Sequence, residues 1–134
     1  DSVEAAQIDQ IIDMATDITY LLTPSMREGN SALKKAMRED IAKSSLPRLI
    51  SFLEELLETK KGTWFVGETM TIADLAIWRL MGSLTSEIIE YIPNDILSPF
   101  PKVKKVCSSV GQHPNVIEWI QKTYPENYPA GNPV

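Results

Sequence analysis

Two residue types that build reactive centres are almost missing: the chain has one cysteine, Cys107, and one histidine, His113. A single cysteine excludes an internal disulfide and fits a reducing compartment, so the expected location is cytoplasmic. One histidine and one cysteine do not supply enough ligands for a zinc site. Positive charge is also short, with 13 Lys and Arg against 18 Asp and Glu, a net charge of −5. That balance offers no basic face for nucleic-acid phosphates, and no basic amphipathic segment for a membrane surface is present. No apolar run approaches the ~20 residues that span a bilayer. The opening residues, Asp1-Ser2-Val3-Glu4-Ala5-Ala6, have neither the basic n-region nor the apolar h-region of a signal peptide. They read as the entry into a helix with Ser2 as N-cap. A chain that starts this way, without a methionine, is expected to have lost residues upstream.

Period-two alternation and internal repeats are absent as well, so strands are not expected. At 134 residues, 43% hydrophobic and 23% charged, the chain suits one globular domain. What is present is helical periodicity. Ile8, Ile11, Ile12, Ala15, Ile18 and Leu22 recur at three- and four-residue steps, and predict a helix from Ser2 to Leu22 that stops near Thr23-Pro24. After Gly29-Asn30, Ser31 is the expected N-cap of a second helix running to about Thr59, kinked at Pro47. Lys60-Lys61-Gly62 ends it. A third helix is expected from Thr71 to about Tyr91, a fourth from Pro101 to Val110, and a fifth opening at Pro114. The expectation is an all-α bundle of about five helices over residues 1–123, followed by a proline-rich tail, 124–134.

The most informative stretch is Trp64-Phe65-Val66-Gly67-Glu68-Thr69-Met70-Thr71-Ile72-Ala73-Asp74-Leu75-Ala76. Thr71 and Asp74 have the spacing of a capping box, with Met70 and Leu75 placed as a hydrophobic staple. A capping box alone is a common structural device. Joined to the aromatic-Val-Gly turn and the apolar helix after it, this stretch resembles the signature of the glutathione transferase carboxy-terminal domain. Gln7-Ile8-Asp9 through Asp13 to Asp17 is similar to the first helix of that domain in the sigma class, which includes the glutathione-dependent prostaglandin D synthases. Leu46-Pro47-Arg48-Leu49 resembles the middle of its second helix. Pro101-Lys102-Val103 and Pro114-Asn115-Val116-Ile117-Glu118-Trp119-Ile120 resemble its closing helices.

The resemblance implies a division of labour. A thioredoxin-like amino-terminal domain, absent from this chain, would hold glutathione and supply the residue that favours its thiolate, so no catalytic residue is assigned here. The helical half would receive a hydrophobic electrophile and contribute to a homodimer in the full-length protein. Asp17 matches a sigma-like carboxylate that reaches the ammonium of glutathione across the dimer. From spacing alone, Asp9, Asp13 and Asp17 equally describe a solvated helix face. The resemblance also raises a Mg²⁺ or Ca²⁺ site near Asp13 and Asp17, but Thr16 stands where a further acid is expected, so no metal is assigned. The electrophile pocket would be lined by Thr19, Tyr20, Thr23, Pro24, Ala76 and Leu80, although Ala76 and Leu80 are equally ordinary core residues. Ala76 and Pro24 replace bulky aromatics of the prostaglandin synthases, which implies a wider pocket. The alternative is a freestanding, non-catalytic interaction module of the same fold. His113 is expected at a turn or cap, and Cys107 as a small buried side chain.

Overall fold

The computed structural model describes residues 1–127. Part of the proline-rich tail, from 128 onward, therefore lies outside the described residues. The architecture is all-α, with six helices among the described residues: α1 (Ser2–Arg27), α2 (Ser31–Lys43), α3 (Ser45–Glu58), α4 (Ile72–Thr85), α5 (Pro101–Gly111) and α6 (Pro114–Thr123). Helix α1 packs on α2, α3 and α4; α5 packs on α3, α4 and α6. Ile18, Leu22, Leu46, Ile50, Leu53, Ile77, Met81, Leu84, Val103 and Val106 are fully buried where these helices meet.

Helix α1 does not stop at Thr23-Pro24; it passes through Pro24 and ends at Arg27. Proline removes only its own amide, which would have bonded to the Tyr20 carbonyl. Around it the hydroxyls of Thr23 and Ser25 donate to the carbonyls of Thr19 and Leu22, at 2.9 and 2.7 Å. Burial of Ile18, Leu22 and Ser25 holds the last turns in place. The N-cap is Asp1, one residue before the expected Ser2: its carboxylate accepts from the Val3 amide at 2.7 Å. Asn30 likewise takes the place expected for Ser31, accepting from the Leu33 amide at 3.0 Å.

The long second helix is two helices. The break falls at Ser44, whose backbone (φ −127°, ψ −77°) leaves the helical region, and not at Pro47. Pro47 is the third residue of α3, where an amide would have no intrahelical partner, so its missing N–H costs nothing there. The third predicted helix is shorter than its apolar pattern. It ends at Thr85, because Glu87 and Tyr91 adopt left-handed backbone with φ of 64° and 66°. Ile89, Ile92, Ile96, Leu97 and Phe100 are still buried, from an irregular segment.

Helix α5 starts at a proline, and its N-cap, Phe100, has no capping side chain. The cap comes from α3: the two carboxylate oxygens of buried Glu54 accept from the amides of Lys102 and Val103, each at 2.8 Å. His113 caps α6, its Nδ1 accepting from the Asn115 amide at 3.3 Å.

Candidate functional site

The start of α4 is fixed by Asp74, which is fully buried. One carboxylate oxygen accepts from the amide and hydroxyl of Thr71, at 2.7 and 3.0 Å. The other accepts from the Phe65 amide at 3.0 Å. Thr71 in turn accepts from the Ala73 amide at 3.3 Å. The capping box thus anchors the preceding turn as well, where Phe65 and Val66 are buried and Gly67 carries a positive φ of 69°.

Anchored in this way, α4 lies along α1, and the two helices enclose a groove of about 640 Å³. Thr19 and Tyr20 of α1 line it opposite Ala76 and Leu80 of α4, so four of the six residues expected in an electrophile pocket meet there. Thr23 and Pro24 are not among its lining. Thr23 is half-buried with its hydroxyl turned back onto α1, and Pro24 is exposed on the continuing helix. Ile12, Ala15, Leu22, Met26 and Ile89 complete the apolar wall, with Thr16, Arg79 and Ser83 at its polar edge. Met26 and Ile89 escape a reading from sequence, because one lies past the expected helix end and the other sits in an irregular segment. Thr16 and Ser83 had a signal: each is one helical step from a residue already chosen.

No carboxylate, histidine or cysteine lines the groove among the described residues. The hydroxyls of Thr16 and Thr19 donate to the carbonyls of Ile12 and Ala15, both at 3.0 Å, so their protons are committed within α1. Tyr20 is 69% exposed at the mouth, and Arg79 is bonded to the Ser83 hydroxyl. Asp17 stands on the exposed face of α1, one residue from Thr16, with Asp13 exposed one turn earlier. No group of three or more His, Cys, Asp or Glu able to hold a metal occurs among the described residues.

A second apolar pocket, of about 460 Å³, lies between α4 and α6, where Met70, Leu75 and Trp78 face Val116, Trp119 and Tyr124. Trp119 and Tyr124 meet there edge to face, their ring centroids 5.7 Å apart. Cys107 lies buried on α5, away from both. Burial raises its thiol pKa from 9.0 to about 12; a backbone hydrogen bond opposes this, and nearby Asp74 adds to it. A thiol so placed remains protonated and is no nucleophile.

Fold and groove together define an all-helical domain with an apolar groove between α1 and α4. The family of the glutathione S-transferase C-terminal domain matches residues 16–123, and the chain belongs to that family. It is 31% identical over 124 residues to glutathione S-transferase 1 of Ascaris suum, covering 88% of this chain and 56% of that protein. It is also 31% identical over 112 residues to a glutathione S-transferase of Plasmodium yoelii yoelii, covering 84% of this chain and 48% of the relative. S-crystallin 3 of Enteroctopus dofleini is 25% identical, with 90% of this chain and 59% of that protein covered. The chain thus spans about half the length of these relatives. Among solved structures, rat hematopoietic prostaglandin D synthase in complex with a quinoline superimposes with a TM-score of 0.76 at 25% identity, over 91% of this chain and 57% of that one. The sigma-like resemblance read from the first helix agrees with that match.

Proposed function

We propose that this domain is the electrophile-binding half of a glutathione transferase, working with a thioredoxin-like domain that holds glutathione. The observation that carries the reading is the apolar groove between α1 and α4, formed mostly by residues within the matched span and lined by no carboxylate, histidine or cysteine among the described residues. Such a groove orients an apolar electrophile and excludes water, while the thiolate attacks from outside it. A quinoline, bound by the rat synthase, is a flat apolar ring system of the chemistry this wall suits. The exposure of Ile72, Ile117 and Trp119 supports a further domain covering the end of the molecule where α4 starts. Asp17, exposed beside the groove, is the group we assign to the glutathione ammonium, within a homodimer; a carboxylate is the matching partner for that cation. Homodimerisation and a cytoplasmic setting belong to the same proposal.

The test begins with the intact mass of the polypeptide from its source. If that polypeptide is larger by a thioredoxin-like domain, it should conjugate glutathione to chlorodinitrobenzene. Asp17→Ala should then raise the KM for glutathione about tenfold, the scale of a lost charge-assisted hydrogen bond. A full-length protein with no conjugating activity would overturn the reading.

A further inference from the structure

Arg38 of α2 is only 6% exposed, and its side chain is a guanidinium, a cation with five N–H donors. Burying a charge is costly unless something answers it. No carboxylate pairs with Arg38 among the described residues. Its partners are neutral oxygens. Nε donates to the Ser25 hydroxyl and Nη1 to the Glu90 carbonyl, both at 3.1 Å. Ser25 passes the chain on, donating to the Leu22 carbonyl at 2.7 Å. The last turn of α1, where Ser25 lies, carries the partial negative charge of the helix end, which offsets part of the cost.

These bonds join two segments that both line the groove. Leu22 and Met26 flank Ser25 on α1; Ile89 precedes Glu90 after α4. Ile88–Glu90 are bracketed by the left-handed Glu87 and Tyr91, a backbone that non-glycine residues keep only when their surroundings hold them. Helix α2 provides that hold twice, through Arg38 and through the Lys35 ammonium 5.9 Å from the Tyr91 ring centre. The two groove-lining segments are therefore tied together by a clasp whose pin is a single guanidinium.

We infer that Arg38 is a specificity-determining positioning residue, which draws Ser25 and Glu90 together and so sets the length of apolar tail that the groove accepts. The inference rests on the groove being the ligand site. A planar two-sided donor suits the task, since lysine offers one compact charge and does not span both oxygens.

The chain itself can be titrated with dansyl amides of linear alkylamines, from butyl to decyl, followed by dansyl fluorescence. Each added methylene should tighten binding roughly fourfold until the tail reaches the clasped segments, where the gain stops. Ser25→Ala and Arg38→Lys should move that stopping point to a longer tail. A uniform loss of affinity at every length, with the stopping point unmoved, would make Arg38 a purely stabilising residue and overturn the inference. So would a wild-type series with no stopping point. If the wild type binds no member, the groove reading falls first and takes the inference with it. Circular dichroism of both variants controls for folding, and Ser25→Ala, which leaves the guanidinium on Glu90, serves if Arg38→Lys does not fold.

Discussion

The Asp74 carboxylate lies 3.0 Å from the Phe65 amide, so the cap of α4 also fastens the turn nine residues before it. Asp74→Ala removes the acceptor of two backbone amides at once, those of Phe65 and Thr71. The expected loss is about 3 kcal/mol, against about 1 kcal/mol for Thr71→Ala. Urea denaturation of both single variants and the double variant checks this. Because the two side chains share one bond, the double variant should lose less than the sum.

Glu54→Ala should cost about 2 kcal/mol, since it leaves the first amides of α5 without their acceptor. Glu54→Gln keeps an acceptor oxygen and should cost less. Hydrogen exchange at the Lys102 and Val103 amides is the local readout: faster in both variants, and fastest in alanine.

Cys107 makes a prediction about alkaline pH. Its thiol pKa is raised on folding from 9.0 to about 12, so the folded state disfavours the thiolate. This contribution to stability is whole below 9.0 and is lost as pH rises toward about 12. Denaturation midpoints taken across that range should fall more steeply in the wild type than in Cys107→Ala. The native thiol should also react with an aromatic disulfide far more slowly than the unfolded one.

Ala76→Phe places a ring in the groove, from a half-buried position on α4. Binding of a fluorescent apolar probe should weaken on the order of tenfold, which is 1.4 kcal/mol. The denaturation midpoint should change little, because the groove is open and the ring has somewhere to go.

How far the sequence could be read depended on whether a side chain's partners were local. Thr71 and Asp74 are three residues apart, and their bond is visible as spacing. The groove-facing Thr19, Tyr20, Ala76 and Leu80 follow the helical period together with the family resemblance. Arg38 and Glu54 carry charge, which in a sequence signals exposure; both are buried because oxygens or amides far along the chain receive them. Pro24 and Pro47 show the limit of reading proline as punctuation. Tertiary burial carried α1 past the first, and the helix started just before the second. The positive φ at Glu87 and Tyr91 had no glycine or asparagine to announce it.

The borrowed cap of α5 has a consequence for the order in which the chain acquires structure. The box at α4 closes over three residues and needs nothing distant, so α4 can nucleate as soon as it exists. Helix α5 waits for a carboxylate 48 residues upstream of Lys102, and closing so long a loop carries an entropic cost that the local box avoids. During synthesis α3 therefore emerges with its acidic side chain uncommitted and exposed to water. Its docking onto the opening amides of α5 should be one of the last events of folding, and a chain interrupted before Val103 should lack the closed core.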